Sequence, residues 1–161
     1  MSRWFTDYGL DEVADGLHVG ALPRDADDVA VLAARGVTRV VSLVDDPEYG
    51  EGEREAVSTA YAASGIAEDR VPITDFGHLL PGHLERAAAL VRGARGDGDV
   101  VYLHCRAGWQ RSVVAAAASL AQADGLDPLA ALRVVMTRRR GADPLPHQVT
   151  DLVRWWSARA A

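Results

Sequence analysis

Apolar positions along this chain alternate between short runs rich in β-branched residues and longer stretches with helical spacing. Leu17-His18-Val19-Gly20 is a strand candidate that ends at a glycine. Val29, Leu32 and Ala33 share one face of a helix predicted over residues 25–35, and Gly36 supplies its stop. Residues 37–44, VTRVVSLV, form an apolar run suited to a buried strand. A helix over 51–64 closes at Gly65, a strand is predicted over 69–73, and a polar, turn-rich stretch occupies 74–82. Residues 83–95 read as a helix, Gly96-Asp97-Gly98-Asp99 as a loop and 100–103 as a short central strand. Three helices follow, over 111–124, 128–138 and 146–160.

Strands that alternate with helices argue for an α/β fold. The expectation is a single layered domain over residues 1–161, its central, mostly parallel sheet of four to five strands flanked by helices. A chain of 161 residues has the length for one domain with a substantial core. Its 48% hydrophobic and 25% charged residues are the proportions of an ordinary soluble domain, and neither a repeat nor a composition shift marks a second one.

The longest apolar stretch, 113–121, is interrupted by Ser119 and is too short to span a bilayer. Residues 2–7 lack the apolar core of a signal peptide. These features predict a cytoplasmic protein with no membrane association and no obligate partner. A net charge of −6 removes broad attraction to nucleic acid or anionic lipid. All 17 basic residues are arginine, a bias that GC-rich genomes produce. The single cysteine, Cys105, excludes an internal disulfide, a Cys-x-x-Cys relay and a zinc ribbon.

That cysteine lies in the segment Val100-Val101-Tyr102-Leu103-His104-Cys105-Arg106-Ala107-Gly108-Trp109-Gln110-Arg111-Ser112. An apolar strand leads in and an alanine-rich helix leads out, so loop amides and a helix N-terminus aim at one point. Gly108 lets the backbone curl close around an anion. Arg111 offers two parallel N–H donors to phosphate oxygens. The same positive surroundings favour the Cys105 thiolate near neutral pH. Ser112 is placed to hydrogen-bond that sulfur and ease its departure. A thiolate so placed attacks phosphorus, and the leaving oxygen then needs a proton. Asp75, in Pro72-Ile73-Thr74-Asp75-Phe76-Gly77, follows a strand at the carboxyl end of the sheet and is the best acid candidate. Asp69, expected before its strand, and Asp45, Asp46 and Glu48, read as turn residues of a surface loop near the mouth, are weaker.

The pattern His104-Cys105-x-x-Gly108-x-x-Arg111-Ser112 resembles the signature of the cysteine-dependent protein tyrosine phosphatases, specifically their compact dual-specificity group. Residues 15–23, DGLHVGALP, are similar to the family's opening strand, 36–43, GVTRVVSL, to its second, and 71–75, VPITD, to the approach to its acid loop. The resemblance implies Cys105 as nucleophile, Arg111 as phosphate clamp, and Asp75 as acid in the first step and base in the second. It implies a substrate-binding loop of His104, Arg106, Ala107, Gly108, Trp109 and Gln110, with His104 orienting the loop without touching substrate. Ser112 matches the hydroxyl position after the arginine. No cofactor and no metal are implied. Trp109 is bulky where the family varies and Gln110 replaces a small residue, so substrate preference is not carried over. An evident phosphotyrosine-recognition loop is lacking, which favours a shallow pocket.

The reading is a metal-independent phosphomonoester hydrolase acting through a phosphocysteine intermediate, with a phosphorylated protein or a small phosphomonoester as substrate. A protein tyrosine or dual-specificity phosphatase stands first. A phosphatase of a phosphoinositide, an RNA 5′-phosphate or a small metabolite is the alternative, and a non-catalytic phosphate-binding module a further one. Sulfur transfer and arsenate reduction also place cysteine in an anion loop, but the arsenate route wants further thiols and sulfur transfer gives Asp75 no task. His78 and His83 flank the acid loop and His18 and His147 are scattered, without ligand spacing for a metal. Arg138-Arg139-Arg140 read as cations favoured at a helix end. Gln148 resembles a glutamine in the last helix region of some relatives, and Trp155-Trp156 read as packing.

Overall fold

The strand β5 (Val101–His104) is buried along its whole length, as an apolar strand covered on both faces must be. It pairs in parallel with β2 (Leu17–Gly20) on one side and β3 (Arg39–Ser42) on the other. Beyond β3 lies β4 (Ala67–Arg70), also parallel, and β1 (Leu10–Ala14) closes the opposite edge antiparallel to β2. The order β1-β2-β5-β3-β4 is the mostly parallel sheet expected, at the upper count of five strands. The structure is a computed structural model and describes residues 1–159.

Alternation along the strands splits the core into two layers. Leu17, Val19, Val41 and Leu103 face the helices α4 (Pro81–Gly96), α5 (Arg111–Asp124), α6 (Pro128–Arg138) and α7 (Pro146–Arg159). Val40 and Tyr102 face α1 (Arg3–Tyr8), α2 (Ala26–Ala34) and α3 (Glu53–Ala63). Every residue of α5 from Arg111 to Ala121 is buried. Its alanines let α4, α6 and the sheet approach on all sides, so the helix is apolar all round instead of striped. None of the helices among the described residues is long and apolar enough to cross a membrane.

Three elements differ from the pattern reading. The helix α1 and the edge strand β1 were not expected; β1, LDEVA, has only two fully buried residues and so carries a weak apolar signal. β4 lies at 67–70 instead of 69–73, so Asp69 is inside the strand, opposite Val41, and bonded to Arg39. Charged residues on an edge strand discourage pairing with other chains. The buried Val71 and Ile73, which suggested the strand, belong to the coil that follows it. The last helix is described to Arg159, and Ala160 lies outside the described residues.

Candidate active site

The loop between β5 and α5 is held by its carbonyls. The His104 carbonyl accepts from the Leu43 amide and the Arg106 carbonyl from the Leu22 amide and the Trp4 indole. The Cys105 carbonyl receives the His104 Nδ1 at 3.0 Å. Arg139 reaches across from the end of α6 and donates to the carbonyls of Ala107 at 3.0 Å and Gly108 at 2.9 Å. The Trp109 carbonyl accepts from the Asp143 amide at 2.8 Å. With the carbonyls engaged outside the loop, the amides of residues 106–110 donate to no other group among the described residues. Together with the first turn of α5 they form a set of free donors beside the cysteine, the backbone chemistry of an anion site.

Close packing forces that curl. Gly108 has φ 75°, and a Cβ there would lie 2.4 Å from the backbone of Gly20 at the end of β2. Cys105 is 2% exposed, and its Sγ lies 3.1 Å from the Ser112 hydroxyl. His104 is fully buried and stacks on Tyr102 with ring centroids 5.6 Å apart. It therefore sits behind the loop, away from any substrate. Burial pushes its pKa down to about 4, so its imidazole is neutral and the Nδ1–H is the donor to the Cys105 carbonyl.

Arg111 is 1% exposed and its guanidinium is held on one edge. Glu48 accepts from both ends of the fork, Nη1 at 2.9 Å and Nη2 at 2.6 Å. Nη1 also donates to the Ile73 carbonyl at 2.7 Å. Nη2 lies 2.9 Å from the Asp75 carboxylate, while Nε is buried with no partner. Nε is thus the one guanidinium donor without a partner among the described residues, and an anion that engages Nε and Nη2 together has to share Nη2 with Asp75 or displace it. Burial works against the charge on Arg111, but Glu48, the Cys105 sulfur and Asp75 together raise its pKa above the ordinary arginine value.

Glu48 was read from sequence as a turn residue near the mouth. It ends a short 3-10 turn, Asp46–Glu48, where its carboxylate also accepts from the Asp45 amide at 2.8 Å. Arg139, read as a helix-end cation, is 1% exposed; besides the two loop carbonyls it binds Asp11 at 2.9 Å. Neither role leaves a local pattern in the sequence, since the partners come from distant segments.

A cavity of about 400 Å³ opens over Cys105 and Arg111. Asp75 and Phe76 border it, with Arg106, Ala107, Gln110 and Asp143. Trp109 meets the Tyr8 ring at 4.9 Å, and Tyr8 meets Trp4 at 4.3 Å, so α1 supplies much of an aromatic wall. Ser2 and Asp28 fasten α1 through bonds of 2.8 and 2.6 Å. The structure therefore brings Cys105, Arg111, Asp75, Ser112 and residues 106–110 together. A larger open depression of about 740 Å³ beside Arg92 and Asp99 lies at the opposite end of the sheet, where Arg95 is already bound to the Asp15 carbonyl. No group of three or more metal-ligating side chains occurs among the described residues.

No protein-family model matches the chain. Mouse dual specificity protein phosphatase 12 is 32% identical over 116 residues, which are 71% of this chain and 32% of that protein. The chain thus spans about a third of that relative's length. Human dual specificity phosphatase 28 is 31% identical over 153 residues, 94% of this chain and 80% of that protein. PTPMT1, solved in complex with PI(5)P, shares the fold with a TM-score of 0.79 at 22% identity, over 94% of this chain and 99% of that one. An identity of 31% sustained over most of both chains reflects common descent, and the chain belongs to the dual-specificity protein phosphatase family.

Proposed function

We propose that this chain is a single-domain, metal-independent phosphomonoester hydrolase that works through a phosphocysteine intermediate. The observation that carries the reading is the set of unpartnered amides and the unpartnered Nε of Arg111 around the Cys105 sulfur. These donors match the equatorial oxygens of a phosphoryl group and concentrate positive potential where its charge spreads. The Cys105 thiolate attacks phosphorus, the P–O bond to the leaving group breaks, and Asp75 gives its proton to the departing oxygen. Asp75, now a carboxylate, takes a proton from water as that water attacks the phosphocysteine. The sulfur leaves as a thiolate that the Ser112 hydroxyl stabilises, and inorganic phosphate departs.

The aromatic wall of Trp4, Tyr8 and Trp109 favours an aryl ester, and we take phosphotyrosine in proteins as the first substrate class. A phosphoinositide headgroup is the second reading. Arg106 and Arg24 flank the Trp4 ring at 5.5 and 4.9 Å and would meet a further anionic group, as in the PI(5)P to which PTPMT1 binds. We place the activity in the cytoplasm, where reducing conditions keep a lone nucleophilic thiol free.

Cys105→Ser abolishes hydrolysis of p-nitrophenyl phosphate, and acid quench of the wild type during turnover traps phosphate on Cys105. Full activity in the serine variant overturns the mechanism. Tight phosphopeptide binding without turnover by the wild type would make the chain a phosphate-binding module instead. Rates on phosphotyrosine, phosphoserine and phosphothreonine peptides, PI(5)P vesicles, thiosulfate and arsenate assign the substrate class.

A further inference from the structure

The acid loop turns sharply at Asp75. The Gly77 amide donates to the Thr74 carbonyl at 2.9 Å, closing a β-turn with Asp75 and Phe76 at its centre. Phe76 has φ 61°, the left-handed region that a residue with a bulky side chain seldom adopts. Phe76 is 64% exposed, so packing of its side chain does not hold the turn. The conformation is strained and has to be fixed from outside.

The first turns of α7 do this. The His147 Nε2 donates to the Phe76 carbonyl at 2.9 Å, and the Gln148 amide donates to the next carbonyl, Gly77, at 3.1 Å. Gln148 is fully buried and its own carbonyl oxygen accepts from the Leu145 amide, which fixes its orientation. His147 is steadied by a ring-to-ring contact with His78, centroids 4.8 Å apart. His78 in turn bonds through Nδ1 to Asp151 at 3.0 Å, and the same carboxylate accepts from the Leu79 amide. Both ends of the acid loop are therefore clasped by side chains of α7.

We propose that His147 is a positioning residue for the acid: by holding the Phe76 carbonyl it keeps the strained turn in the form that sets the Asp75 carboxyl against the phosphate seat. Gln148 and the His78–Asp151 pair support the same turn. This inference rests on the reading of Asp75 as the proton donor. His147 touches neither substrate nor the reacting atoms and acts through Asp75 alone.

The test uses the full chain with His147→Ala, His147→Gln, Asp75→Asn and the Ala/Asn double variant. Each is assayed on phenyl phosphate, whose leaving oxygen needs a proton, and on p-nitrophenyl phosphate, whose leaving group needs it far less. A well-placed general acid contributes about 10²–10⁴ in rate, so partial misplacement predicts a kcat loss of about tenfold in His147→Ala on phenyl phosphate. The loss on p-nitrophenyl phosphate is smaller, and inhibition by inorganic phosphate is unchanged. His147→Gln, which can present an N–H at similar reach, recovers most of the rate. In the Asp75→Asn background, His147→Ala costs nothing further.

Equal losses on both esters, weakened phosphate inhibition, or an undiminished effect of His147→Ala in the Asp75→Asn background overturns the inference while leaving the acid assignment intact. Phenyl phosphate turnover unchanged by Asp75→Asn overturns the acid assignment and the inference with it. Should the alanine variant fold poorly, the comparison of wild type with His147→Gln and His147→Leu decides, since only the leucine lacks the donor.

Discussion

Glu48 and Arg111 form a two-point ion pair on the guanidinium edge away from the free Nε, with both carboxylate oxygens engaged. The pair fixes the plane of the fork before any anion arrives, which is what preorganised recognition of phosphate requires. Glu48→Ala leaves a buried cation with one carboxylate fewer and a rotatable fork. We expect kcat/KM on p-nitrophenyl phosphate to fall about 10- to 100-fold, with inorganic phosphate binding weakened in parallel. Steady-state kinetics and phosphate inhibition check this, and an unchanged inhibition constant refutes it.

Arg139 joins the loop carbonyls of Ala107 and Gly108 to Asp11 on β1 and to the Tyr8 carbonyl. Its removal leaves the carbonyls of Tyr8, Ala107 and Gly108 without that donor, while the part-exposed Asp11 keeps the Arg140 amide. Arg139→Ala should cost about 1–3 kcal/mol in urea unfolding, because buried loop carbonyls lose a charged donor. Arg140→Ala, at an exposed neighbour, should cost less than about 0.5 kcal/mol. Equal effects of the two substitutions would contradict the assignment.

Gly108→Ala adds a Cβ that would lie 2.4 Å from the Gly20 backbone, at a φ of 75°. Backbone rather than a flexible side chain is in the way, so the loop itself must shift. We expect phosphate hydrolysis to fall by about 10²-fold or more, since a displacement of about 1 Å is enough for that. The thermal midpoint should fall as well, with strain of order 1–3 kcal/mol. Retention of wild-type kinetics is the refuting result.

His104 links stability to pH. Its pKa is about 4 in the folded protein against 6.5 for an ordinary histidine, so between those values the unfolded chain binds the extra proton. The stabilisation is complete above pH 6.5 and is lost as pH falls towards 4, to a total of about 3 kcal/mol. His18, whose pKa is also lowered by burial, contributes with the same sign. Urea unfolding at pH 7 and pH 4.5 should therefore show a loss that His104→Asn reduces. A slope unaffected by that substitution rules His104 out as its source.

The α/β order and the loop around Cys105 were legible because their signals are local: apolar strand, glycine, arginine, buried helix. Asp75 borders the cavity as anticipated, although the strand end at residue 73 that pointed to it lies at Arg70. β4 was misplaced because the apolar pair Val71 and Ile73 fills the core from coil, while the hydrogen-bonded strand beside it carries Glu68 and Asp69. Glu48 and Arg139 escaped because burial of a charge is decided by partners far away in sequence. Arg139 has its partners on β1, on α1 and in the cysteine loop, and nothing in Arg138-Arg139-Arg140 tells which of the three turns inward.

The short helix α1 supplies Trp4 and Tyr8 to the mouth of the cavity and no group that would meet the phosphoryl oxygens. Its ties to the body run through Ser2 and Asp28 on one side, and on the other through the Trp4 indole, which holds the Arg106 carbonyl of the cysteine loop, and the Tyr8 carbonyl, which receives Arg139. The Tyr8 side chain meets the mouth through ring contacts, so diversification at that position leaves the hydrogen bonds of the loop in place, whereas position 4 carries one of them. A lineage that redraws position 8 acquires a new clientele of esters with an old catalyst, whereas a change at position 4 also loosens the loop beneath.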